Sequence, residues 1–226
     1  MVLSVAVEGE GIMARIIGYR RFGGVEVLEE GSVSLPAPGE GQVLVTVRAA
    51  GINPVDYKLF GGLTRPLEVL RTIVHPGRWF ARGADLPLRG VGQDFAGVVA
   101  VVGPSVTNVA VGDEVIGLLR AAPWQVREYG SLATQLVISA DNVVPKPASV
   151  SFEVAGGLGV AAQTAMGAMR SVKADASDVI VVAAAAGGVG GLVTQLAIAR
   201  GATVIGIAGP SNADYLRSLG AIPVSY

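Results

Sequence analysis

Between residues 13 and 150, apolar and polar positions alternate in short runs separated by glycine and proline. Val43, Val45 and Val47 alternate with Leu44, Thr46 and Arg48, the period of a strand with one face more deeply buried than the other. Residues 97–102 are a β-branched run closed by Gly103-Pro104, a turn pair. Val111-Gly112-Asp113-Glu114-Val115 predicts a tight turn entering another strand. Apolar runs at 136–138 and 143–144 predict two more before Pro145 and Pro147 punctuate the chain. Short strands divided by Gly/Pro turns predict a partly closed β-barrel.

After Pro147 the pattern changes. Residues 151–170 are rich in Ala, Met and Leu and open on Ser151, a residue type that caps helix N-termini, so one helix is predicted there. A strand at 179–183, a glycine loop, a helix at 190–200, a strand at 203–207 and a helix at 213–219 follow. Strand–helix–strand–helix at this spacing predicts a right-handed parallel crossover unit. The expected organisation is an appendage over residues 1–12, a barrel domain over 13–150, and a partial doubly wound parallel sheet over 151–226. Residues 179–199 carry no charge, but glycines at 187, 188, 190 and 191 favour strand, loop and helix over a membrane span. The stretch 61–90, with its arginines, His75 and Trp79-Phe80, lacks periodicity. It reads as a surface excursion between barrel strands, with a lid or substrate-entry element as the alternative.

Composition narrows the chemistry. Apolar residues make up 51% and charged residues 15% of the 226, which supplies a core and excludes a disordered chain. The formal net charge of −1 gives no long-range pull on a polyanion, so nucleic acid is not an expected partner. Cysteine is absent and histidine occurs once, which excludes disulfides, iron–sulfur clusters, thiolate zinc sites and multi-histidine metal sites. The apolar opening at residues 2–7 lacks a basic leader and is broken by Glu8 and Glu10. It does not read as a secretory signal, and a cytoplasmic location is expected.

The strongest motif is Ala185-Ala186-Gly187-Gly188-Val189-Gly190, between an apolar strand and a helix. It matches the dinucleotide fingerprint G-x-G-x-x-G with Ala185 in the first glycine's place. A residue without Cβ at 187 lets the backbone approach a pyrophosphate, and one at 190 lets the helix pack tightly on the strand. The helix then offers unpaired N–H groups and partial positive charge to the phosphates. An NAD-preferring site places an acid at the end of the second strand, roughly 20 residues past the loop. Here that place is held by Ile207-Ala208-Gly209-Pro210-Ser211-Asn212, with no acid before Asp214. A carboxylate would repel a 2′-phosphate; small and hydroxyl groups admit one. NADPH is therefore expected over NADH, although no arginine or lysine stands in that loop.

Taken together, several motifs in order resemble the medium-chain dehydrogenase/reductase superfamily and, within it, the zinc-free quinone oxidoreductase branch. They are residues 49–58 (Ala-Ala-Gly-Ile-Asn-Pro-Val-Asp-Tyr-Lys), 92–97, 101–103, 111–115, the 185–190 loop and Leu219-Gly220-Ala221. The resemblance implies a GroES-like catalytic barrel joined to a Rossmann domain. Zinc-dependent relatives place a cysteine near Asn53 and Gly-His-Glu at Gly92-Gln93-Asp94, so no metal is expected. By resemblance, Asn53 lies beside the nicotinamide and Thr164 near the ribose and phosphates. Tyr226 matches the tyrosine, and Ser211 the serine, that meet the 2′-phosphate in this branch; its lysine has no counterpart. Family members continue well beyond Tyr226, where a third Rossmann strand is expected to begin, and a homodimer is expected if that domain is complete.

The resemblance implies hydride transfer from NADPH to a quinone or other conjugated carbonyl. The developing oxyanion would be met by hydrogen-bond donors rather than a metal. Asn53 and Tyr57 are the candidates, with Asp56 either orienting them or stabilising the turn after Asn53-Pro54. Gln93 and Asp94 are expected to line the cleft. An enoyl or 2-enal C=C reductase and a catalytically silent nucleotide-binding or interaction module are the competing readings.

Overall fold

The computed structural model describes residues 11–63, 88–119 and 129–226. Most of the leading appendage and of the arginine-rich stretch, with His75 and Trp79-Phe80, lie outside the described residues. The chain divides into two compact units, Met1–Gly159 and Val160–Tyr226.

In the first unit, β1 (Ile12–Tyr19) pairs antiparallel with β2 (Leu28–Leu35) and with the short β4 (Arg89–Gly90). A five-stranded antiparallel sheet is built from β3 (Gln42–Gly51), β5 (Asp94–Val102), β6 (Glu114–Leu118), β7 (Gln135–Ser139) and β8 (Val143–Pro145), in the order β7-β3-β5-β6-β8. Residues 132–134 stitch the sheets together. Ile17 N–H donates to the Leu132 carbonyl at 2.8 Å, Thr134 N–H to Arg15 at 2.9 Å, and Val47 N–H to Thr134 at 3.0 Å. The result is a partly closed barrel, as the strand pattern predicts.

The Val43, Val45 and Val47 face of β3 is the more deeply buried one, as the alternation predicts, and Leu44 on the opposite face is fully buried as well. Val43 and Val45 pack with Phe95, Val99, Val115 and Leu136, whereas Leu44 packs on the other side with Ala14, Leu35 and Val137. The smaller sheet covers the face that a single sheet would leave to solvent. Both faces of β3 are therefore core over residues 43–45, while Arg48 further along is exposed.

The helix expected over 151–170 is two helices, α2 (Phe152–Gly156) and α3 (Gly159–Val172), α1 being Pro54–Phe60. Ser151 caps α2, its Oγ accepting from Val154 N–H at 3.4 Å. A Cβ on Gly156 would stand 2.9 Å from the Ala49 backbone, so α2 ends seated on β3 and a new helix starts past Gly157.

The second unit holds β9 (Val179–Ala183), α4 (Gly188–Ala199), β10 (Thr203–Ala208), α5 (Ala213–Ser218) and β11 (Ile222–Ser225), a parallel sheet in the order β11-β10-β9. The third strand is thus already formed before Tyr226, where it was expected only to begin. One face is core: Val182, Val204 and Ala208 pack with Ala197 and Leu216 of the helices. On the opposite face Val179, Val181, Ile222 and Val224 are exposed. The register places them side by side, through Thr203↔Val179, Ile205↔Val181, Ile205↔Ile222 and Ile207↔Val224. Among the described residues no helix is long and apolar enough to cross a membrane.

Candidate functional site

In the first unit the site is built where β3 ends. Gly51 lies opposite Asp94, the first residue of β5, in the β3–β5 register. Asn53 follows in extended conformation as the residue before α1, with Pro54 opening the helix, a position where its missing N–H costs nothing. The Asn53 N–H donates to Asp56 Oδ2 at 2.7 Å, the reciprocal contact of a capping box. The Asn53 side-chain amide donates to Asp94 Oδ2 at 2.9 Å. Both carboxylates are buried, Asp56 with 2% and Asp94 with 0% of its surface exposed. A buried hydrogen bond contributes about 0.5–1.5 kcal/mol, and leaving either buried partner unsatisfied costs about 1–3 kcal/mol. Asn53 is held from both ends.

The other candidates on α1 differ. Asp56 is engaged with the backbone of its own helix, the turn-stabilising role weighed above. Tyr57 is 53% exposed, and Lys58 is exposed as well. Phe60 anchors the helix, its ring 6.3 Å from that of Tyr19 and edge-on to it. Asn53 and Asp94 are the residues that the resemblance aligns with the metal site of zinc-dependent relatives. Here the two are joined directly.

In the second unit, β9 runs into the glycine loop and α4 starts at Gly188, with Gly187 as its cap residue. Gly187 N–H donates to the Ala184 carbonyl at 2.9 Å, and Ala185 N–H to the Ile207 carbonyl at 3.0 Å, tying the loop to β10. The glycines divide into two kinds. A Cβ on Gly190 would overlap the Ala184 carbonyl oxygen, so internal packing alone demands glycine there. At Gly188 a Cβ would meet nothing within 4 Å, and at Gly187 only the Ala184 carbonyl at 3.3 Å. Glycine in a helix costs up to about 1 kcal/mol relative to alanine. The bare backbone at Gly188 is therefore not accounted for by the protein's own packing, and at Gly187 a single carbonyl contact accounts for it only in part. It is exposed at the N-terminus of α4, beside the exposed Val189 and the partly buried Ala186.

Ala185, in the first glycine's place, is fully buried against β10. A Cβ on Gly206 would lie 3.1 Å from the Ala185 Cβ, so the methyl group of one residue fills what the other leaves empty. Ala184 adopts a left-handed φ of 52°. The sequence carries no signal for that, because alanine rarely adopts the conformation.

At the end of β10, Ala208 is buried, and Ser211 and Asn212 lie in the turn Pro210–Asn212. A Cβ on Gly209 would be 3.7 Å from the Tyr226 hydroxyl and 3.8 Å from the Asn212 side-chain nitrogen. The strand end thus gathers the residues expected to meet the 2′-phosphate. Thr164 sits on α3, and its hydroxyl donates to the Val160 carbonyl at 2.7 Å, one turn back. Among the described residues, no three or more His, Asp or Glu side chains cluster to hold a metal ion.

Comparison with known proteins agrees with this architecture. Residues 39–148 match the alcohol dehydrogenase GroES-like domain. The chain is 34% identical over 207 residues to the 2-methylene-furan-3-one reductase of Solanum lycopersicum, covering 90% of this chain and 49% of that protein. It is equally 34% identical over 207 residues to the NADPH-dependent alkenal/one oxidoreductase of Arabidopsis thaliana, covering 90% and 50%. The chain thus spans about half the length of these curated relatives. Among solved structures, the quinone oxidoreductase of Coxiella burnetii superposes with a TM-score of 0.75 at 30% identity, covering 95% of this chain and 62% of that one. The Escherichia coli quinone oxidoreductase complexed with NADPH gives 0.73 at 28% identity, covering 94% and 58%. In sequence and in fold, from the barrel strands to the glycine turn before α4, this chain belongs to the medium-chain dehydrogenase/reductase superfamily, in its quinone oxidoreductase branch.

Proposed function

We propose that this chain binds NADPH across the 185–190 loop and serves a zinc-independent oxidoreductase that reduces a quinone or another conjugated carbonyl. The observation that carries the reading is the exposed bare backbone at Gly187 and Gly188, where a Cβ would meet one carbonyl at 3.3 Å or nothing at all. The donor set fits a pyrophosphate: N–H groups of the first turn of α4, without a side-chain cap, carry the partial positive charge of a helix start. Ser211, Asn212 and the Tyr226 hydroxyl, gathered at the acid-free end of β10, suit a 2′-phosphate better than a ribose hydroxyl.

When bound, NADPH supplies a hydride from C4 of its nicotinamide. The chain's own part is orientation and polarity. Asn53, clamped by the Asp56 carboxylate at its N–H and by Asp94 at its amide, presents a fixed dipole rather than a rotating one. Such preorganised polar groups lower barriers because they need no reorganisation as charge develops. Tyr57, exposed on α1, offers a hydroxyl donor for a developing oxyanion. The zinc-independent reading is supported by Asn53 and Gln93 where metal-dependent relatives have cysteine and histidine, and by a sequence without cysteine.

The names of the two plant relatives favour a second reading, reduction of the C=C bond of an enone or 2-enal with the same hydride. Steady-state consumption of NADPH with a panel of quinones, enones and 2-enals separates the two. Binding of NADPH without turnover of any of them would leave a nucleotide-binding module. A folded chain that binds neither reduced coenzyme would overturn the oxidoreductase reading.

A further inference from the structure

Resting on the coenzyme reading above, we propose that Arg217 is the cation that selects NADPH over NADH in this chain. The C-terminal ends of β10 and β11, together with α5, enclose a cavity of about 170 Å³ lined by Gly209, Pro210, Arg217 and Ser225, among others. That volume is smaller than the ~300–1,000 Å³ of sites that take a whole ligand, and it suits one group of a larger one. Among the described lining residues there is no carboxylate, and the sole charged side chain is that of Arg217. Gly209 and Pro210 form the turn where a dinucleotide fold meets the ribose of the adenosine. The Tyr226 hydroxyl stands by the same turn, a second donor at this strand end.

Arg217 lies outside the loop that follows β10, so inspection of the loop alone finds no cation. The helix brings it back. Its Nη1 donates to Asp214 Oδ1 at 2.7 Å, but the two side chains are 61% and 99% exposed, and ion pairs in such surroundings hold weakly. Nothing else among the described residues accepts from its guanidinium. The planar fork matches phosphate oxygens in a bidentate way that a lysine does not. Asp214 is then a competitor for the phosphate, holding the arginine beside the cavity while no anion is there.

The test uses the 226-residue chain, titrated calorimetrically with NADPH, NADH, adenosine 2′,5′-bisphosphate and 5′-AMP. Arg217→Ala is expected to weaken NADPH and the bisphosphate roughly tenfold to hundredfold, the range of one or two charge-assisted hydrogen bonds, while NADH and 5′-AMP change less than about twofold. Arg217→Lys should recover part of the loss, and Asp214→Asn should tighten the bisphosphate without altering 5′-AMP. Equal losses for phosphorylated and unphosphorylated ligands in Arg217→Ala, or no loss, would overturn the assignment. A wild-type chain that binds NADH and NADPH alike would remove Arg217 as a selector yet leave the loop reading standing. A folded chain that binds none of the four would remove both.

Discussion

The two units arrange their chemistry in opposite ways. At the end of β3 the site is made of side chains: Asn53 is fixed by two buried carboxylates from different elements. At the start of α4 it is made by the lack of side chains: Gly187 and Gly188 leave backbone bare, and Gly190 lets the helix press against Ala184. The first design fails when a group is removed, the second when one is added. Truncation scanning would therefore find the barrel site and miss the loop, whereas adding a single methyl group would do the reverse.

The contrast is broken most severely at Gly190. Its Cβ would overlap a backbone oxygen that is itself bonded to Gly187, so neither neighbour yields cheaply. Gly190→Ala should cost about 3 kcal/mol, the upper end of overpacking, and NADPH binding with it. Urea unfolding and coenzyme titration measure the two. A folded variant with unchanged affinity would contradict the close-packing role.

Lys146 sharpens the comparison on the barrel side. Its side chain is 4% exposed, 2.9 Å from Glu114 Oε2, and donates to the Val150 and Pro147 carbonyls at 2.6 and 3.2 Å. Its ammonium also lies 5.0 Å from the Phe152 ring centre. It ties β6 and β8 to the turn that leads into α2. Lys146→Met should destabilise the chain by about 2 kcal/mol without altering NADPH affinity, because none of its contacts belongs to the second unit. A parallel loss of affinity would show the two units to be coupled.

Asn53→Ala tests the barrel site itself. Turnover of the best quinone or enone should fall roughly tenfold to hundredfold, the loss of one preorganised donor or slightly less. Stability should fall by about 1 kcal/mol as the helix start loses its cap and Asp94 a donor. Equal turnover in wild type and variant would reduce Asn53 to a capping residue.

The smallest effect is at the turn before β9. The Ser177 hydroxyl first, and its backbone N–H second, hold the Asp175 carboxyl below the ordinary carboxylate value. The folded state therefore favours the charged form. Its contribution is full above the ordinary carboxylate pKa and is lost as pH falls through the lowered folded value. Wild type and Asp175→Asn should differ slightly in Tm at neutral pH and converge in acid. Divergence toward acid would reverse the sign of the argument.

The glycine loop was legible because its signal is local: an apolar strand, residues lacking Cβ, then a helix. The Asn53–Asp94 bond was not, since the partners are 41 residues apart and meet only through the β3–β5 register. Resemblance placed both residues near the chemistry but not in contact. The full burial of Leu44 on the less covered face of β3 was not legible either, as the covering sheet comes from β1 and β2. The third parallel strand starts four residues earlier than expected, at Ile222 rather than Tyr226, because it is short and contains Pro223, which obscures a strand pattern. The break after Gly156 depends on contact with Ala49, which no periodicity within 151–170 encodes.

The most direct test of the coenzyme reading adds one methyl group at Gly187, whose φ of −82° and ψ of 171° are open to any residue. Gly187→Ala should lower stability by no more than about 1 kcal/mol, the cost of a poorer cap, while NADPH affinity falls at least about tenfold. Undiminished affinity in that folded variant would contradict a pyrophosphate seated on the bare backbone.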